Sequence, residues 1–150
     1  ERAGRSAPAV VAVHPAAAAD DPTSIPGFDA LARDVERGAF VVATADLIHH
    51  GAGYGTPGPD RRADCDGATL AWARETVDAQ LDRLASGDFA GAAALGARVR
   101  SDFVDAGPVF AALAAGRAPR RLRAIRLVDY ADVLGAPPPT WVAAAFAASS

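Results

Sequence analysis

Methionine and lysine are missing from the 150 residues of this chain, and cysteine occurs once. A lone Cys65 excludes an internal disulfide and is compatible with a reducing compartment. Its neighbours Asp64 and Asp66 make an acidic setting, which disfavours a thiolate nucleophile. All 15 basic side chains are arginine, and alanine dominates the composition. That bias fits a coding sequence rich in G and C and carries no mechanistic information. A chain that starts at Glu1 and holds no methionine is expected to be processed, or to be a piece of a longer protein. No apolar run reaches the roughly 18 residues that a membrane span needs. Pro8, His14 and Pro15 interrupt any apolar segment that could serve as a signal peptide, so the expected compartment is the cytoplasm. The formal charge of −3 argues against an electrostatic nucleic-acid binder. Arginines do gather at Arg117, Arg120, Arg121, Arg123 and Arg126, which reads as a solvated strand edge in preference to a phosphate-binding patch. There is no G-x-S-x-G, no P-loop, no G-x-G-x-x-G after a strand and no paired-cysteine motif, so those chemistries lack support.

What is present is apolar. Hydrophobic residues make up 51% and charged residues 22%, which describes a globular chain of one domain, 1–150, able to bury a core without metals or disulfides. Ala7–Val13 reads as a buried strand closed by His14-Pro15. Phe28, Leu31, Ala32 and Val35 recur at helical spacing, and Gly38 stops that helix. A second strand is expected over Ala39–Thr44, so the three elements make a strand–helix–strand unit, most simply a right-handed parallel crossover. Helical patterns follow from about Arg61 to Ala85, with Leu70, Val77, Leu81 and Leu84 on one face, and again after Ser86-Gly87-Asp88. Gly107-Pro108 is expected to open a third helix that ends at Gly116. Leu122, Ala124, Arg126 and Val128 alternate with Arg121, Arg123, Ile125 and Leu127, so a strand running towards Tyr130 is expected, and Trp141–Ala147 after Pro137-Pro138-Pro139 reads as a strand in preference to a helix. The fold class expected is α/β, with a mixed, largely parallel sheet flanked by helices.

The richest stretch is Thr44-Ala45-Asp46-Leu47-Ile48-His49-His50-Gly51, followed by Gly53-Tyr54-Gly55-Thr56-Pro57. If the preceding run is a central strand, a carboxylate and an imidazole three residues apart fall at its carboxyl end, where open α/β sheets place their chemistry. Asp46 can orient His49 or hold it cationic, and a positioned histidine serves as general acid or base near neutral pH. The bland alternative is an aspartate capping the next turn and a histidine bonded to backbone. His50, Gly53 and Tyr54 are candidates for the wall of a substrate pocket. A metal would need more ligands than Asp46 and His49 provide. His14, at the same sheet edge if the strands are parallel, is a weak candidate for a third, as in a small hydrolase using Asp46, His49 and His14.

Val41-Val42-Ala43-Thr44-Ala45-Asp46-Leu47-Ile48-His49-His50-Gly51, with Tyr54-Gly55-Thr56-Pro57 behind it, resembles the "SSDLSHYG…YG.TP" segment of Memo-like proteins. Those are relatives of the class III extradiol ring-cleaving dioxygenases, such as protocatechuate 4,5-dioxygenase. Ala9–His14 resembles the family's "VPVLVG" strand, Asp105–Leu113 the end of "CGYGPIAALL", and Leu127–Ala131 its late "L-x-Y-A" strand. The resemblance runs in order along the chain and corresponds to the second half of a family member. It implies that His49 is the acid/base histidine and Asp46 its pocket carboxylate. It also implies a metal-dependent, non-haem Fe(II) oxidoreductase acting on a small aromatic or phenolic substrate. The iron's two histidines belong to the half this chain does not match. The family's cysteine ligand aligns with Val104, which cannot bind a metal, and Asp105 is one residue along, a weak substitute. The ion would therefore be bound mainly by residues outside this chain, with a complementary chain or a homo-oligomer as partner. The competing expectation is a non-catalytic Memo-like interaction module that has lost its metal site.

Overall fold

The computed structural model describes residues 9–15, 21–114 and 123–146. Ala7, Gly116, Arg117, Arg120, Arg121, Leu122 and Ala147, all part of the sequence expectations, lie outside the described residues. The architecture is mixed α/β. Among the described residues, five α-helices and a three-stranded sheet follow one another as α1 (Phe28–Glu36), β1 (His49–Gly51), α2 (Gly67–Ser86), α3 (Phe89–Arg98), α4 (Phe103–Leu113), β2 (Ala124–Asp129), α5 (Ala131–Leu134) and β3 (Thr140–Phe146).

The helices start and stop where local chemistry dictates. Asp66 caps α2 by accepting the Ala68 N–H at 3.0 Å, so this helix begins after the Pro57–Arg61 turn and not within it. Gly87, at φ +80°, closes α2, and Asp88 then accepts the Gly91 N–H to open α3. α1 ends before Gly38, as its spacing predicts. The Gly107-Pro108 pair does not open α4: both lie inside it, and the helix starts four residues earlier at Phe103. Ser101 makes that start possible by accepting the Phe103 N–H on its hydroxyl at 3.1 Å. Pro108 forfeits one helical N–H, a loss the helix tolerates because Pro108, Val109 and Leu113 are buried against neighbouring elements.

The sheet departs from expectation. Its order is β1-β3-β2 and both pairings are antiparallel, with His50 opposite Trp141 and Leu127 opposite Ala143. A largely parallel sheet is therefore not what the described residues form. The two runs assigned to parallel strands are the reason. Residues 9–13 and 39–44 are not strands, and Val10, Phe40 and Val42 are 86%, 99% and 81% exposed. An apolar run signals a segment that gains from burial, but a strand also needs a ladder partner, and no described segment pairs with these two. Without them there is no parallel crossover either. The expected late strands do form, and β3 takes the centre of the sheet.

One core joins the helices to the sheet. Val77, Leu81 and Leu84 of α2 meet Phe103, Ala111, Trp141 and Ala143, together with Leu47 and Ile48 from the loop before β1. Leu70, expected on this face, is exposed at the start of α2. A smaller cluster packs Phe28, Leu31, Ala32 and Val35 of α1, with Val41, against Val109 and Leu113. Trp141, Ile48 and Ala143 have no accessible surface, so the segment leading into His49 is anchored at the centre of the molecule. Among the described residues no helix is long and apolar enough to cross a membrane.

Candidate active site

The loop that carries Asp46 and His49 is tied down on two sides. On the sheet side, the Leu47 N–H donates to Ala143 O and the Ala143 N–H to Ile48 O, extending the ladder of β1 with β3. On the helix side, the His49 N–H donates to Val99 O at 3.0 Å. The Asp102 N–H donates to Asp46 O at 3.0 Å, and the Ser101 hydroxyl lies 3.4 Å from the same oxygen. The turn between α3 and α4 is thus stitched to the loop. His49 is not at the end of a parallel strand but begins an edge strand of an antiparallel sheet.

This stitching brings an imidazole and two carboxyl groups together. His49 Nε2 lies 3.2 Å from Asp46 Oδ2, and His49 Nδ1 lies 3.8 Å from Asp102 Oδ1. The imidazole also stacks on Tyr54, with ring centroids 4.5 Å apart and planes 14° from parallel. Burial raises the Tyr54 phenol above its ordinary value, and Asp46, Tyr130 and Asp102 add to the shift. Tyr54 therefore stays neutral and offers His49 a fixed apolar face. An ionised carboxylate can only accept, so the Asp46 contact assigns a proton to Nε2 and leaves the lone pair of the neutral ring on Nδ1.

A cleft of about 430 Å³ opens beside this group. His49, His50, Thr56, Pro57 and Trp72 line it, with Asp60 and four arginines, so Thr56 and Pro57 are what the glycine-rich loop contributes to its lining. Asp46, Tyr54 and Gly53 do not line it. Gly53 is fixed by packing: its N–H donates to Thr140 Oγ1 at 3.0 Å, and a β-carbon there would meet Thr140 and Ala136 within 3 Å. His50 is buried among aromatics, stacked on Trp141 at 4.6 Å and edge-on to Trp72 at 5.7 Å. Its Nε2 accepts the Arg62 N–H at 2.8 Å, and Trp141 Nε1–H donates to Arg62 O at 2.9 Å. Burial lowers the His50 pKa, and the charges of Arg62 and Arg100 lower it further. His50 is thus a neutral wall of the cleft.

The described residues contain one group of three side chains able to converge on a metal, namely Asp46, His49 and Asp102, with ligand atoms within 4.8 Å of one another. Neither His14, exposed on its extended segment, nor Asp105 belongs to it, so the three-ligand set of Asp46, His49 and His14 is not assembled. The donors present are one imidazole and two carboxylates, the inverse of the two-histidine, one-carboxylate set that holds non-haem Fe(II). The two carboxylates also face different ring nitrogens, whereas an imidazole gives a given ion only one. These residues fit a hydrogen-bonded histidine better than an iron triad.

Asp102 is the member that sequence reading missed. The available signal was Ser101-Asp102 ahead of the apolar Phe103-Val104, a helix-start pattern that the more conspicuous Gly107-Pro108 obscured. Comparison with known proteins adds no assignment: no family model matches the chain, and neither a curated protein nor a solved structure matches it.

Proposed function

We propose that this chain supplies the acid/base part of a metal-dependent oxidoreductase site of the extradiol dioxygenase kind, resembling the second half of the Memo-like fold. The substrate would be a small aromatic or phenolic molecule seated in the cleft beside His49. The observation that carries the reading is the setting of His49, with one nitrogen on Asp46, the other free of a hydrogen bond, and the ring braced by Tyr54. A phenolic hydroxyl that reaches Nδ1 gives up its proton there: the O–H bond breaks, an N–H bond forms, and a phenolate and an imidazolium result. Asp46 and Asp102 flank that imidazolium and stabilise it. Trp72, Pro57 and Pro59 offer flat apolar surface for an aromatic ring. This proton transfer uses only residues of this chain. Fe(II) would be held mainly by residues outside it, on a complementary chain or a second copy.

The test is oxygen uptake by the purified assembly with a panel of catechols. His49→Ala should lower turnover ~10²–10⁴-fold while the far-ultraviolet circular dichroism is retained. Undiminished turnover by a folded His49→Ala protein removes this histidine from the mechanism.

A second reading, a Memo-like interaction module without a metal, is favoured by Val104. This residue stands where the resembled family has its cysteine ligand, and its Cγ1 would lie 2.5 Å from a β-carbon on Gly96. Apolar packing thus fills that place. Metal analysis separates the two readings: stoichiometric iron supports the oxidoreductase, and a reproducibly metal-free assembly supports the module.

A further inference from the structure

Arg61, Arg62, Arg98 and Arg100 all line the cleft beside His49, against one carboxylate, Asp60. They come from two separate parts of the chain, the loop after β1 and the end of α3, so the cluster is a product of the fold. Asp60, the one carboxylate lining the cleft, makes no ion pair with any of these four arginines, so it does not neutralise them. Three of them are nonetheless positioned. Arg61 Nε–H donates to Thr56 O at 2.9 Å, Arg62 lies over the Trp72 ring at 4.8 Å, and an Arg100 guanidinium N–H donates to Gly55 O at 3.2 Å. A guanidinium carries five N–H donors, so each keeps several for a ligand.

The backbone of Arg100 is an independent observation. At φ +54° it is the one non-glycine residue with positive φ among the described residues. It occupies the left-handed position of a helix-ending turn, in which the Ser101 N–H donates to Gly96 O at 2.9 Å and the Arg100 N–H to Ala97 O at 3.3 Å. Glycine serves in the left-handed position that ends α2 and α5. Glycine would also be the less strained residue at the end of α3. An arginine there, against the local preference, is accounted for by where its side chain goes.

We infer that the cleft is an oxyanion-binding site. It takes the carboxylate or phosphate of a small acidic ligand through Arg98 at the end of α3, Arg100 in the turn that follows, and Arg61 and Arg62 from the loop. The ligand's apolar body lies against Trp72. A volume of about 430 Å³ suits a small molecule. The inference names the substrate of the proposed oxidoreductase as an acid, and it rests on that reading only for what happens to the ligand's other end.

Calorimetric titration of the intact chain with benzoate, phenyl phosphate and benzyl alcohol tests it. At least one of the two anions should bind, more weakly as salt is added, and the neutral alcohol should not. The tighter of the two anions identifies the headgroup. Arg100→Gly should weaken the better anion about tenfold or more, because a charge-assisted contact is lost. Its Tm should not fall, because glycine relieves the turn. If Tm does fall, Arg98→Gln, at an exposed helix end, decides in its place. Binding of the alcohol as tightly as either anion, binding of none of the three, or unchanged anion affinity in the deciding variant overturns the inference. Calorimetry reads binding without turnover. Acid binding in a protein whose His49→Ala variant keeps full turnover would retain the site and discard the acid/base reading, and the converse would do the opposite.

Discussion

His49 and His50 are adjacent in sequence and set in different chemistry. His49 meets two carboxylates and a phenol ring, while His50 is packed between two tryptophans and accepts a backbone N–H on Nε2. Protonating His50 would destroy that acceptor and place a cation beside Arg62 and Arg100. Its folded pKa lies below the ordinary 6.5, because of burial first and the two arginines second. The unfolded chain therefore takes up the proton before the folded one does. Stability from His50 is complete above about pH 6.5 and is lost as pH falls below that value towards the folded pKa. Thermal unfolding followed from about pH 7 down to 5 should show Tm falling in the parent protein and a shallower fall in His50→Gln. Parallel slopes would show that His50 contributes nothing to the acid sensitivity. At this scale the sequence was informative where partners are close along the chain. Asp46 and His49 are three residues apart, and the loop between them is short enough to predict their meeting. Asp102, Arg98 and Arg100 reach the same place only through hydrogen bonds between segments about 50 residues apart, which no local pattern announces.

Among the elements, most helices and the two late strands were legible, and the two early runs read as strands were not, for one physical reason. A helix satisfies its backbone within itself, so caps such as Asp66 and Asp88 and stops such as Gly87 act locally and can be read off in order. A strand's partner lies elsewhere in the chain. The apolar stretch 39–43 has the composition of a strand but no ladder, whereas His49–Gly51, polar and short, has one because β3 lies alongside. Gly51 shows how tight that pairing is. It adopts φ +104°, and a β-carbon there would fall 1.9 Å from Pro139 O and 2.7 Å from Thr140 Cα, both backbone atoms. The same Pro139 O accepts the Ala52 N–H at 3.0 Å, so it cannot simply move aside. Gly51→Ala should therefore cost about 3 kcal/mol or more, through left-handed strain and displacement of the strand. Chemical denaturation should show this as a lowered midpoint. A change below about 1 kcal/mol would mean that β1 and β3 can separate freely at this point.

On the scale of the whole molecule, the conspicuous feature is apolar surface without cover. Val10, Val11 and Val13 in one segment, and Phe40 and Val42 in another, are all more than half exposed. The same runs were misread as buried strands because their composition is that of an interior, and the interior they suit is not supplied by the described residues. We propose that a complementary chain or a second copy covers them. Light scattering at micromolar concentration should then report a complex larger than 15.2 kDa, and a well-behaved monomer would contradict this.

The central position of β3 has a consequence for the order of events during synthesis. The strand that holds His49–Gly51 in place is Thr140–Phe146, which leaves the ribosome about 90 residues later. The nascent chain must carry the histidine loop unpaired through the emergence of α2, α3 and α4, and of β2 and α5 after them. The chemistry at this site is therefore among the last things the polypeptide acquires, and a partially made chain would be inert however well its helical part had folded.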